Sequence, residues 1–289
     1  MYSGYQIAAE LLQHKGKHFK AVCVGYAHEN HLVHLLKQKG ASCVKMSIVD
    51  GEDAIADVYR KADVVVVVPP VCDDRWGEGA CIFVSAAAKA QVKGLVLCSK
   101  VGAGEMRSLP ALAPLHKLEE AFDMAKGQVG VASLLRCSLH IDLLWLFRRQ
   151  IAKEHGICLA SKHDARFAPL AGADAAAALC HMLVDPKVPA GIYNLTGPQP
   201  LTFECIARSA ASLIDEEIHF KQVSREEMIQ YLTQHEELCR GSIHFVADML
   251  EAVSQGILDK HTDDLVKLLG KKPMTVDRYL EKNAGDFRP

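Results

Sequence analysis

Residues 61–70 read Lys-Ala-Asp-Val-Val-Val-Val-Val-Pro-Pro, and no other stretch limits the fold so sharply. Five consecutive valines, Val64 to Val68, show no apolar–polar alternation. A strand apolar on both faces is buried on both faces, and β-branched side chains suit an extended backbone. Such a strand belongs in a parallel sheet with helices packed on each side. Pro69 and Pro70 end it, because neither offers an N–H to a sheet ladder. In open α/β sheets the crevice past the carboxyl ends of the strands is where ligands bind. The run therefore predicts either a ligand at this tip or a plain core strand.

The chain around it is large enough for one sizeable domain or two coupled ones, with 289 residues of which 49% are hydrophobic. Its formal net charge of −2 offers no basic field to nucleic acid or to an anionic membrane. Apolar runs are far too short to span a bilayer, and the opening MYSGYQIAAE lacks the charged-then-apolar layout of a signal peptide. Ten cysteines are scattered without a CxxC pair, and several, such as Cys23 in FKAVCVG, sit inside apolar runs. They read as buried structural thiols in a reducing cytosol rather than as a metal site.

Taken in order, the periodicity predicts a helix over 4–14, a strand over 19–25, a helix over 29–39 and a strand over 42–48. A helix over 53–61 then leads into the valine strand. Beyond it come a helix over 81–91, a strand over 94–98 ending at Ser99, a helix over 115–125 and a strand over 129–136. A helix over 142–153, a strand over 157–160, a helix over 174–184 and a strand over 191–195 follow. This alternation predicts an α/β fold with a doubly wound parallel sheet. After Gly197-Pro198 the texture becomes mostly helical, with one strand over 218–222. Ser224 to Glu227 spells a capping box. The predicted organisation is a first domain over 1–197 and a smaller, mostly helical lobe over 198–289, packed across the ligand edge.

Several pieces, in this order, resemble the NmrA-like group of atypical short-chain dehydrogenase/reductases. They are KADVVVVVPP, the strand ending LVLCS, His116 followed four residues later by Glu120 in LHKLEE, and Leu135-Arg136-Cys137. GIYNLTGPQPLTFECIA and GKKPMTVDRYL complete the series. The resemblance covers nearly the whole chain and implies a Rossmann-like fold that binds NADP or NAD. Carried over position by position, it implies cofactor contacts from Tyr2, Ser3, Gly4, Tyr26, Val68, Pro69, Pro70, Ser99, His116 and Cys137.

Three departures qualify it. The family opens with a strand and a TGxxGxxG loop. Here Met1 stands where the second glycine would be and only Gly4 matches, so the first strand is absent. The expectation is a shortened form of a longer chain, with a vacancy between the strands at Phe19 and Val64 and weak dinucleotide binding. After the second strand the sequence reads VGYAHEN, without the arginine that pairs with a 2′-phosphate, which leaves NAD or NADP open. Finally, the Tyr-x-x-x-Lys proton relay is missing: Leu112 and Ala113 stand four residues before His116 and Lys117, and no tyrosine occurs between Tyr59 and Tyr193. His116 is then either a substitute acid/base or a cofactor-contacting residue.

Other candidates are the turn at Asp73-Asp74-Arg75-Trp76, a substrate loop or a solvated turn, and residues 100–110, a glycine-bearing lid or a plain connection. Arg136 needs a partner at the end of a buried strand. Cys98 and Cys137 are redox-sensitive or inert core thiols. His140 and Asp142, two apart, would diverge on a helix and form no dyad. The resemblance and its departures imply a nucleotide (redox) sensor or regulator with weak or no catalysis, working with a protein partner. The alternative is an NAD(P)H-dependent oxidoreductase acting on a quinone or small carbonyl compound.

Overall fold

The computed structural model describes residues 3–27, 30–69, 76–236 and 238–288. Among them ten strands run in order: β1 Cys23–Tyr26, β2 Ser42–Lys45, β3 Val64–Val67, β4 Gly94–Lys100, β5 Val131–Cys137, β6 Gly156–Leu159, β7 Arg166–Phe167, β8 Ile192–Leu195, β9 Leu201–Thr202 and β10 His219–Gln222. The helices of the first part are α1 Ser3–Gln13, α2 His31–Gln38, α3 Gly51–Tyr59, α4 Trp76–Lys89, α5 Pro114–Ala125, α6 Arg148–Glu154 and α7 Gly172–Val184. Those of the second are α8 Phe203–Ile214, α9 Arg225–His235, α10 Arg240–Ser254, α11 Asp264–Leu269, α12 Val276–Lys282 and α13 Ala284–Phe287.

The main sheet is parallel throughout, in the order β3-β4-β5-β8. Its residues alternate between two helix layers, as the unalternating valines require. Val65, Val67, Leu95 and Leu97 join one core with residues of α4 and α5. Val66, Val96, Cys98, Leu135 and Cys137 face α7, α11 and Ile7 of α1. Yet β3 lies at the edge of this sheet, so Val64 remains 41% exposed. A separate parallel pair, β1 with β2, stands apart, and neither β1 nor β3 has a second neighbour among the described residues. Helix α1 spans the two: Ala8 and Leu12 pack with Val22 and Leu36, while Ile7 enters the core beneath the main sheet.

Strands β6 and β7 precede residue 197, but pair with strands beyond it. β6 runs parallel to β10, and β7 is antiparallel to β9. They surround a cluster in which the Phe167 and Phe203 rings lie 4.9 Å apart and those of Phe203 and Phe220 lie 5.9 Å apart. The capping box at Ser224 is present: its hydroxyl accepts from Glu227 N, and Glu227 Oε2 accepts from Ser224 N at 2.7 Å. Thr202 and Thr275 cap α8 and α12 in the same local way.

Two expected helices differ. The stretch predicted over 142–153 is a 3₁₀ turn, Ile141–Phe147, followed by α6, with Phe147 off helical geometry at the junction. Helix α4 begins at Trp76 rather than near 81. Gly77 and Gly79 weaken its helical signal, but a Cβ on Gly77 would strike Pro114 and one on Gly79 would strike Ile48. The glycines serve close approach.

Candidate functional site

The carboxyl ends of β4 and β5 carry two different clusters, one on each face of the sheet. Ser99 points toward α5. Its hydroxyl donates to Glu119 Oε1 at 2.6 Å, and Arg136 closes on the same carboxylate through Nε (3.0 Å) and Nη2 (2.6 Å). Ser99 and Glu119 are buried, at 3% and 7% exposure. The planar fork of arginine matches a carboxylate in this bidentate way, and the Glu119 carboxylate holds the Arg136 charge more firmly in place. Arg136 thus has the structural partner its position demands, and Ser99 is already committed.

On the other face lie Cys98, Lys100 and Cys137. Burial pushes the Lys100 ammonium below the usual lysine range, opposed in part by Cys137, Cys98 and Asp142. Burial likewise pushes the thiols of Cys98 and Cys137 upward, away from the reactive thiolate. His140 follows β5; burial, and then the Lys100 charge, hold its imidazole well below the usual histidine range. Its Nε2 and the hydroxyl of Ser138 are buried without a hydrogen-bond partner among the described residues. Asp142 does not pair with His140. It accepts from Gln6 Nε2 at 2.9 Å and from Gly172 N at 2.8 Å, tying the first turns of α1 and α7 to the end of β5.

His116 sits in the first turn of α5, with 23% of its side chain exposed. Its Nε2 lies 3.0 Å from Glu120 Oε1, and its Nδ1 3.5 Å from Arg107. No hydrogen bond links it to Ser99 among the described residues. Glu119, one residue before Glu120, is the carboxylate that turns inward, and the LHKLEE signal did not separate the two. Val68 and Pro69 are half-buried at the tip of β3, and Tyr26 is half-buried at the tip of β1 with Lys37 Nζ 5.4 Å from its ring centre. Gly4 lies in the first turn of α1 with open space where a Cβ would stand. Tyr2, Pro70 and the side chain of Ser3 lie outside the described residues, as do Asp73, Asp74 and Arg75.

Two other expectations resolve differently. Trp76 is not on a solvated turn or an open loop; it is 3% exposed and meets Phe245 edge-on at 6.3 Å. The 100–110 segment is no loose lid: Val101, Ala103 and Met106 are buried, and Gly102 takes φ +79°, where a Cβ would strike Ile257. Among the described residues the cysteines are free and no group of ligands is placed to hold a metal. No helix of the described residues is long and apolar enough to cross a membrane.

The Leu-Thr-Gly-Pro stretch proves to be a junction. Leu195 is fully buried, and Thr196 Oγ1 accepts from Thr262 N at 3.0 Å and donates to Thr262 O at 3.1 Å. Gly197 passes so near Pro169 O that a Cβ would collide with it. The closing segment anchors similarly, with Met274 N donating to buried Asp174 at 2.6 Å.

This is the fold of NAD(P)-binding reductases and epimerases. Over 97% of the chain it superposes on 96% of a nucleoside-diphosphate-sugar epimerase from Staphylococcus aureus, with TM-score 0.80 and 16% identity. A triphenylmethane reductase from Citrobacter sp., complexed with NADP(H), gives TM-score 0.79 at 17% identity, covering 96% of this chain and 94% of that one. An NADPH-dependent quinone oxidoreductase from Escherichia coli gives 0.78 at 17% identity with the same coverage. No protein-family profile matches the sequence. An alignment of 108 positions is 28% identical to one component of the ATP-dependent helicase/deoxyribonuclease of Staphylococcus aureus, covering 31% of this chain. The chain spans only 9% of that relative's length, too little to carry an argument about function.

Proposed function

We propose that this chain is an NmrA-like dinucleotide-binding protein that senses NADP or NAD and has weak or no catalysis. The observation that carries the reading is the Ser99–Glu119–Arg136 lock. The serine at the β4 tip is spent on a buried carboxylate, His116 pairs with Glu120, and no phenol stands on this part of the chain. Proton delivery to a substrate therefore lacks its usual donor.

The site's polar character fits a nicotinamide dinucleotide in part. The first turn of α1, tied through Gln6 to Asp142, stands at the carboxyl edge with open space at Gly4. Ser138 Oγ and His140 Nε2 are buried there, without a partner among the described residues. Such orphaned groups call for a polar ligand or water. Tyr2 to Gly4, Tyr26, Val68 to Pro70, His116 and Cys137 are the residues that would hold it, while Ser99 keeps its bond to Glu119. When bound, the nicotinamide supplies hydride chemistry; the chain supplies binding and orientation. β1 and β3 share no neighbouring strand among the described residues, so the approach to a diphosphate would fall to the first turn of α1, and weak binding is part of the proposal. A sensor's output passes to a protein partner.

The second reading is an NAD(P)H-dependent oxidoreductase on a quinone or small carbonyl, and Lys100 favours it. An ammonium depressed by burial can give up a proton, as a catalytic acid must. NADPH oxidation with a panel of quinones, run beside isothermal titration with NADPH and NADH, separates the two. Binding without turnover supports the sensor. Turnover lost in Lys100→Met at saturating cofactor supports the reductase, and absence of both binding and turnover rejects each.

A further inference from the structure

A cavity of about 290 Å³ opens on the far side of the sheet from Lys100, between the end of the 100–110 segment and the lobe. Its walls come from three separated parts of the chain: Trp76 at the start of α4, Pro110 and Ala111 ahead of α5, and Arg225, Arg240, His244 and Asp248 from α9 and α10. From these residues we infer that it is a binding site for a small aromatic carboxylate.

The charge argument starts at Asp248. It is 2% exposed and uses both oxygens: Oδ2 accepts from Ala111 N at 2.7 Å, and Oδ1 meets Arg225 Nη2 at 2.8 Å. That carboxylate is therefore satisfied within the wall and leaves the cavity no bare negative charge. Arg240 brings a second guanidinium, with its Nε 3.4 Å from His244 Nε2. A guanidinium carries five N–H donors, so Arg240 can receive a ligand carboxylate beside the contacts it already makes. It is also less strongly hydrated than an ammonium and presents a planar fork, so it binds carboxylates well at a partly dry wall.

The remaining wall is apolar and rigid. Trp76 is buried against Phe245, and the buried Asp248 holds Ala111 in place. Cavities with an apolar body and a few convergent polar groups are the usual form of small-molecule sites. A flat ring against this wall with its carboxylate toward Arg240 uses both features. A purely aliphatic anion would leave the apolar wall wet, and a neutral aromatic would forgo the charge-assisted contact. The site owes nothing to the dinucleotide, since none of its lining residues belongs to the cluster around Ser99 or Lys100.

Isothermal titration of the 289-residue chain with 2-naphthoate, 2-naphthamide and acetate, without nucleotide, tests it. We expect saturable one-to-one binding of 2-naphthoate, with the amide and acetate each about tenfold weaker or more, as loss of one charge-assisted contact or of the ring would give. Arg240→Gln should weaken 2-naphthoate about tenfold without changing the melting temperature. Arg225→Gln is avoided as the test, because it strands the buried Asp248 carboxylate. In a Trp145→Phe background Trp76 is the sole tryptophan, and its emission should change on titration. Equal binding of naphthoate and naphthamide, unchanged affinity in Arg240→Gln, a silent Trp76, or no saturable binding would each overturn the inference, while leaving NADPH titration free to succeed or fail by itself.

Discussion

Glu119→Ala should be the most damaging polar substitution in the sheet-facing core. The carboxylate receives three hydrogen bonds, two from Arg136 and one from Ser99, and its side chain is 9% exposed. Removing one partner of a buried ion pair costs about 3–5 kcal/mol, because the other charge stays behind uncompensated. The Arg136 side chain is 30% exposed, so water recovers part of that, and about 2–3 kcal/mol is the reasonable share. Ser99 loses its acceptor in a buried position, adding about 1 kcal/mol. The sum, about 3–4 kcal/mol, is a large fraction of the roughly 5–15 kcal/mol by which domains are stable. For a chain of this size it lowers Tm by roughly 6–12 °C. Urea unfolding followed by circular dichroism reads the free energy, and an unchanged m-value certifies that the folded state kept its compactness. The double variant Glu119→Leu/Arg136→Met should recover most of the loss, since no charge then remains unpaired. If Glu119→Gln and Glu119→Ala each cost less than about 0.5 kcal/mol, the pair is a surface contact and the argument for a locked Ser99 collapses.

Lys100→Met should stabilise the protein at neutral pH, and the gain should shrink as pH rises. The buried ammonium gives up its proton below the unfolded value of about 10.4, so between the two the unfolded chain holds more protons and wild-type stability climbs relative to the variant; a gain that grows toward about pH 10 contradicts this. Among the thiols of the described residues, Cys205 should react first with iodoacetamide, because the Thr202 hydroxyl, followed by the Thr202 backbone and Arg208, lowers its pKa, whereas Cys98 and Cys137 should stay unmodified until unfolding. Peptide mapping after a short pulse would expose an error in that order. Gly197→Ala should lower the urea midpoint, since its Cβ meets a backbone carbonyl that cannot swing aside; an unchanged midpoint would mean that the β7–β9 corner yields freely.

What the sequence alone determined is whatever depends on neighbours a few residues away. Val64 to Val68 announce a strand between two helix layers, and Ser224 announces a helix start, because these signals operate within one turn or one pleat. The order of strands and helices followed from the same periodicities. The requirement that Arg136 find a partner was legible too, since a charge at the end of a buried strand cannot stand alone. The identity of that partner was not. Glu119 and Glu120 are adjacent in sequence, and only the seating of α5 on the sheet turns one inward to Ser99 and leaves the other beside His116. Tertiary structure also decided that β6 pairs with β10 and that two-residue strands close the lobe, because pairing between distant segments leaves no periodic trace in either. The depressed Lys100 and the cavity at Trp76, Arg225 and Arg240 belong to the same class. Desolvation and enclosure come from chain segments brought together across the fold, and a string of residue types carries no distance between them.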